Sequence, residues 1–227
     1  MSKQTGRADV RDMLVVHQAF RDSYSSAPGL VRGVAAGDTR RAATVADHLK
    51  LIADFLHLHH KGEDDLLWPK LKERAPADLW PALEVLEAQH VEIDLLVNKS
   101  TALRTSWRRT AGVDEGEELA VVLSRLNEGL TEHLALEEDK VLSRVSQYMT
   151  DAEWHELGDH AINGLPKSKL PIVFGMLADI AEPEVVDLML ASAPRVPRFL
   201  MPRLGPLAYR AHVKKVYGGT PALTRKV

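Results

Sequence analysis

The sequence predicts an all-α fold, a bundle of four long helices followed by a C-terminal appendage of short helices. Three observations carry it. Apolar residues recur at spacings of three and four almost throughout, and no stretch alternates with the period of two that marks a strand. Breaks rich in glycine, proline and capping residues separate four long periodic segments. After Gly164 and Pro166 the texture changes to segments interrupted by Pro171, Pro183, Pro194, Pro197, Pro202 and Pro206.

The first helix is expected from about Ala8 to Tyr24, stopping at "SSAPG", with a short helical piece before Gly37. Asp38 has the chemistry of an N-cap for the second, which reaches about Arg74 and should kink at Trp68-Pro69. Asp78 is the expected cap of the third, which ends near Arg109 before Gly112. The fourth runs from about Asp114 to Tyr148, and Thr150 to Glu153, "TDAE", forms a capping box for a fifth. A boundary near Met149 divides the chain into a bundle, 1–149, and a small helical extension, 150–227, basic at its end.

Composition narrows the functions available. The 227 residues are 45% hydrophobic and 27% charged, the balance of a soluble globular chain. No apolar run approaches the roughly 18 residues of a membrane span, so no transmembrane segment is expected. "MSKQTGRADV" has no apolar core of a secretory signal, which makes the cytoplasm the expected compartment. There is no cysteine, which excludes disulfides, thiolate metal sites and cysteine nucleophiles. The net charge of −3 is uneven. Eight bases and no acid follow residue 190, Arg195 through Lys226, so an acidic body carries a basic tail.

The helical seams hold the chemistry. In the second helix Val45, Leu49, Ile52, Leu56, His59, Glu63 and Leu66 form one stripe, with His59 and Glu63 where leucines belong. In the fourth, Leu119, Leu123, Leu126, Leu130, His133, Glu137 and Val141 repeat it. The first helix adds Val10, Met13, His17, Phe20 and Tyr24, and the third adds Leu79, Leu83, Leu86, His90, Ile93 and Val97. At about 100° per residue, His57 and His60 fall away from the His59 stripe, which gives them supporting or surface positions. His59 to His133 and Glu63 to Glu137 are both 74 residues, so the chain reads as a duplicated helical hairpin.

One inward histidine is an ordinary core residue. Two buried glutamates among four inward histidines need cations, because an unpaired buried carboxylate costs several kcal/mol or loses its charge. Residues four apart share a helix face, so one metal can take both members of each His-x-x-x-Glu pair. Two metals sharing six ligands receive two histidines each. Two bridging glutamates and an oxo or hydroxo bridge leave about one open position, an arrangement that suits iron. Structural zinc prefers a closed four-ligand site. A ferritin-like site would need two Glu-x-x-His pairs, and the first helix has "LVVH". "HELGDH" at 155–160 lacks the zinc-protease spacing and is expected to be an exposed helix face.

These motifs, with "HHKGEDDLLWP" in the second helix, "QH" in the third and "HLALEED" in the fourth, resemble the hemerythrin HHE cation-binding family over about residues 8 to 149. The resemblance implies an up-down-up-down four-helix bundle. It makes His17, His59, His90 and His133 terminal ligands to two non-haem iron ions and Glu63 and Glu137 their bridges. Oxygen-carrying members place a second histidine where this chain has Asp94, so one iron would lose an imidazole and reversible carriage would suffer. Asp94 itself, His60 in place of His59, and Glu138 in place of Glu137 are the remaining ligand assignments. The implied partner is a small diatomic molecule or peroxide. Turnover as a diiron oxidoreductase, detoxifying peroxide or nitric oxide, and non-catalytic storage or sensing of iron or oxygen need the same ligands. The basic C-terminal segment is expected to pack on the acidic bundle, with a partner or an anionic membrane surface as the alternative. Nucleic acid is not expected, because no recognition motif is present.

Overall fold

The structure, a computed structural model, describes residues 6–191 and 193–218, and Arg225 and Lys226 of the basic tail lie outside these. Among the described residues every regular element is helical, and the one β-type pairing is an isolated bridge between Arg7 and Thr150.

Helix α1 (Arg11–Arg32) runs through the expected stop. Pro28 removes an amide donor, but Ala27, Pro28 and Val31 are buried, and the Ser25 and Ser26 hydroxyls donate to the carbonyls of Asp22 and Ser23. Burial outweighs the local breaking signal. Helix α2 (Thr39–Gly62) opens as expected, with the Asp38 carboxylate accepting from the Arg41 amide.

Residues Glu63–Leu67 then form a π-helical turn before α3 (Trp68–Arg74). The irregularity expected at Pro69 falls one turn earlier. A π turn holds one extra residue, so the inward position after Glu63 is Leu67, fully buried, whereas Leu66 is half-buried.

Helix α4 (Trp80–Thr110) is entered through a 3-10 turn, Ala77–Leu79. Asp78 is not its cap; it pairs with Arg144, and Pro81 occupies the first turn. Ala111 ends α4 in the left-handed region at φ 47°. Helix α5 (Val113–Glu137) leads into a second π turn, Glu138–Leu142, and then α6 (Ser143–Val145), which divides the expected fourth helix. Helix α1 packs on α2 and α5, and α4 packs on the same two.

Beyond these lie α7 (Asp151–Gly164), α8 (Leu170–Ile180), α9 (Pro183–Met189) and α10 (Arg195–Tyr217). Helix α7 begins with the expected capping box. The appendage is not made only of short helices, because α10 is 23 residues long and continues through Pro202 and Pro206. Close packing on α8 holds it: a Cβ added at Gly175 would lie 2.1 Å from the Gly205 carbonyl oxygen. The far end of α10 is tied to the bundle by hydrogen bonds between His212 and His48 (3.1 Å), between His48 and Tyr217 (3.2 Å) and between Tyr217 and Ser26 (3.2 Å). The "HELGDH" face is only partly exposed, since Leu157 is buried and His160 lies against Gly62. Among the described residues no helix is long and apolar enough to cross a membrane.

Among the described residues two apolar clusters form the core. One contains Phe20, Phe55, Leu56, Ile93 and Leu130; the other contains Met13, Leu67, Leu86, Val141 and Trp154. Along each long helix a histidine, or histidines and a glutamate, separates the two. The core therefore has a polar belt at its waist.

Candidate metal centre

Helix α1 brings His17 to this belt, α2 brings His59 and His60, α4 brings His90, and α5 brings His133 and Glu137, with Glu63 opening the first π turn. All are buried, and Glu63 and Glu137 have no exposed surface at all. Their ligand atoms form two groups, His17, His59, Glu63 and Glu137 in one and His60, Glu63, His90 and His133 in the other. Within each group these atoms lie within 4.8 Å of one another. Either group could hold a metal ion, and Glu63 is common to both.

Glu63 divides its oxygens. Oε1 lies 3.2 Å from His59 Nε2 and Oε2 lies 3.4 Å from His90 Nε2. Glu137 Oε2 faces His17 Nε2 at 3.4 Å and His133 Nε2 at 3.8 Å, so it too looks toward both groups. The Nε2 atoms of His90 and His133 point at each other across 3.2 Å. Among the described residues the polar atoms gathered here have almost no hydrogen-bond partners: His17 Nε2, His59 Nε2, both ring nitrogens of His60 and all four oxygens of Glu63 and Glu137 are buried without one. Buried polar groups are rarely left so. A cation coordinated by these atoms would satisfy them together, and imidazole with carboxylate is a donor set that iron accepts.

The outer edges of three rings are anchored. His17 Nδ1–H donates to Glu138 (2.9 Å), which Arg21 holds in turn at 2.7 and 3.0 Å. His90 Nδ1–H donates to Asp64 (2.8 Å), and His133 Nδ1–H donates to the Gln89 side-chain oxygen (3.2 Å). Each bond keeps the proton on Nδ1 and turns Nε2 inward, the atom through which a neutral ring would bind a metal.

The electrostatics favour an added positive charge. Burial works to raise the Glu63 carboxyl, but His59 and His90 outweigh it and hold it well below the usual range. Burial, the Glu63 carboxylate and Glu138 together push Glu137 well above its ordinary value. Two carboxylates enclosed side by side cannot both stay charged without a cation. Burial pushes His59 down to about 4 and His133 to about 3, which keeps these rings neutral as ligands. Burial opposes a charge on His90, but Asp64 and Glu63 overcome it and raise it to about 9, so this ring must give up its Nε2 proton to an incoming cation before it can serve as a ligand.

The six residues His17, His59, Glu63, His90, His133 and Glu137 thus meet in one place. Of the remaining candidates, His60 is not at the surface: it is buried, and its ring belongs to the second group. Placing one stripe on α2 hid this, because the buried arc of that helix is wide enough for His59 to face α1 and His60 to face α4. Glu63, four after His59 and three after His60, stands between them. Glu138 is engaged outside the groups, with His17 and Arg21. Asp94 is half-buried and lines a surface groove with the exposed His57, away from both groups. The spacing that hid His60 also carried its signal, since "HH" with Glu at both i+3 and i+4 gives two rings access to one carboxylate. Asp64, Gln89 and Arg21 left no periodic trace, because they meet the histidines from neighbouring helices.

The family model described as the hemerythrin HHE cation binding domain matches residues 7–145 of this chain. No curated protein and no solved structure matches it.

Proposed function

Because the chain belongs to the hemerythrin HHE cation-binding domain family, we propose that it is a non-haem diiron protein that binds or reacts with dioxygen, peroxide or nitric oxide. The observation that carries this reading is the pair of buried donor groups sharing Glu63. In it, His17, His59, Glu63 and Glu137 would hold one iron, and His60, Glu63, His90 and His133 would hold the other. Glu63, common to both groups, would be shared by the two ions, and Glu137, which faces His17 and His133, would support the same pair. Asp94 deprives neither iron of an imidazole, since His60 supplies a fifth ring from α2. On this reading reversible oxygen carriage is one of the outcomes that the experiment below distinguishes.

Bound there, iron supplies an accessible change of oxidation state and a position for a small exogenous ligand. The chain's own residues do the rest. Glu138, Asp64 and Gln89 orient their rings, and the apolar clusters above and below exclude bulk water. We read residues 1–149 as the metal-binding unit and 150–227 as its extension. We also read the long helices as an up-down-up-down bundle. Along α1 and α4 the order is Met13 or Leu86, then histidine, then Phe20 or Ile93. Along α2 and α5 with the π turns that follow them, the order of clusters is reversed: Leu56 or Leu130, then histidine, then Leu67 or Val141. Such alternation is what antiparallel neighbours give.

The test is anaerobic reconstitution with Fe(II), followed by separate additions of oxygen, peroxide and nitric oxide under optical spectroscopy. Two irons per chain and a spectral change with at least one of these is the expected result. Consumption over repeated additions assigns turnover. A reversible change without consumption assigns the carrier or sensor alternative. A single tightly bound zinc with no affinity for iron would overturn the diiron reading.

A further inference from the structure

Helix α10 has an inner and an outer face of different origin. On the inner face Gly205 packs against Gly175 of α8, and Val213 and Val216 are buried. On the outer face Val196, Phe199, Leu200, Leu204 and Leu207 are 39% to 66% exposed. At about 100° per residue these five fall in one arc of about 140°, and Gly205 points the opposite way. The arc runs roughly 16 Å along the helix, at about 1.5 Å per residue. Single exposed leucines are ordinary on a protein surface, but five side chains on one outward face form a patch of the kind that marks an interaction site.

The charge around the patch has one sign. Asp187 is the last acidic side chain of the sequence, and α10 carries Arg195, Arg198, Arg203, Arg210, Lys214 and Lys215, all exposed. Arg203 stands inside the arc, its guanidinium 4.0 Å from the centre of the Phe199 ring and donating to the Phe199 carbonyl at 2.7 Å. Arg210 and Lys214 continue the same face toward the C-terminus. Elsewhere on the surface Arg32, Lys50, Lys61, Lys72, Arg108 and Arg144 each hold a carboxylate, whereas among the described residues no base of α10 does.

We infer that the outer face of α10 docks on an anionic phospholipid membrane, with the helix lying along the headgroups. The occupant of this face must offer apolar cover and negative charge together. A headgroup layer does so: phenylalanine and leucine enter the boundary beneath it, and arginine and lysine stems reach back to its phosphates. The acidic body of a second copy fits less well, because Glu117, Asp54, Asp65, Glu87, Asp47 and Asp78 are already paired with bases of their own chain. Among the described residues no helix is long and apolar enough to cross a membrane, so the attachment is peripheral and sensitive to salt. It does not depend on the reading of the metal centre.

The test mixes the full chain with lipid vesicles and measures the bound fraction by co-sedimentation. Wild type should bind vesicles of equal phosphatidylcholine and phosphatidylglycerol, should bind pure phosphatidylcholine far more weakly, and should be released by salt. Arg210→Gln with Lys214→Gln should weaken binding about 25-fold, since each base near an anionic surface contributes about fivefold. Phe199→Ser with Leu207→Ser should weaken it at least about tenfold. Val91→Ser with Leu95→Ser, which removes similarly exposed apolar side chains from α4, should leave it unchanged. Circular dichroism checks that each variant folds, and the wild-type comparison of the two vesicle types decides even where one does not. No wild-type binding to the anionic vesicles, equal binding to both kinds, or undiminished binding in either folded α10 variant overturns the inference. So does lipid-free self-association that the same variants abolish, with no vesicle binding, because a second copy then covers the face.

Discussion

The imidazoles of His60 and His90 stack face to face, 4.1 Å between centroids and 15° from parallel, inside the interface of α2 and α4. Two buried rings in this relation hold each other in place, and in the proposed centre both serve the same ion. His60→Ala should therefore lower iron content from two toward one per chain. His57→Ala, on the exposed side of the same helix, should leave it at two. Metal analysis after reconstitution decides this, and full iron loading in His60→Ala would remove that residue from the site.

Glu63→Leu separates metal binding from stability. Without a cation the Glu63 carboxylate is enclosed and unsatisfied, so replacing it by leucine should cost the metal-free protein little and can raise its melting temperature. Wild type should gain about 4 kcal/mol at a thousandfold excess of iron over its dissociation constant. The variant should gain nothing. Melting curves with and without iron distinguish the two, and an iron-dependent rise in Glu63→Leu would contradict the role of Glu63 as the shared ligand.

The outer partners should tune affinity without abolishing it. Asp64→Ala frees the His90 ring, and Gln89→Leu frees that of His133. Each change should weaken iron binding by about 10- to 100-fold, the usual effect of losing such a partner. Competition with a chelator of known strength measures it. Unchanged affinity in both variants would show that packing alone orients the rings.

A pH dependence belongs to the far end of α10. Burial, with His212 adding to it, pushes His48 down to about 3, and burial pushes His212 down to about 4, against an ordinary 6.5. Both rings are neutral where α10 is tied down. Above 6.5 the folded and unfolded forms are both neutral, so this contribution is fully present and constant. Below 6.5 the unfolded form takes up protons that the folded form refuses, and stability falls until the folded values are reached. Amide exchange in Arg195–Tyr217, corrected for its intrinsic rate, should show constant protection above this range and declining protection below. His48→Gln, which cannot titrate, should flatten part of the decline.

Much of the centre was legible because the seams of a bundle are strict. A histidine or glutamate standing where the 3-4 spacing calls for leucine is conspicuous, and the repeat at 74 residues doubled the signal. What escaped was set by tertiary packing. His60 needs two neighbours of α2 to be known before its side of the helix counts as inside. Asp94 drew attention through resemblance alone, and its place in an outer groove makes a further expectation: Asp94→His should leave iron content unchanged. The stop assigned to Pro28 and the breaks assigned to Pro202 and Pro206 followed local propensity. Buried packing of α1 and the Gly175–Gly205 contact of α10 overruled it.

The π turns at Glu63–Leu67 and Glu138–Leu142 also determine where the chain can change length. In an ordinary α-helix, deleting one residue rotates everything downstream by about 100°. A π turn already carries one residue more than the regular spiral needs. Deleting exposed Asp65 or Asp139 would let the turn close into α-helix while Trp68 and Leu71, or Val145, keep facing the core. Next to each glutamate, a single-codon loss that would scramble any other stretch of these helices leaves the register intact.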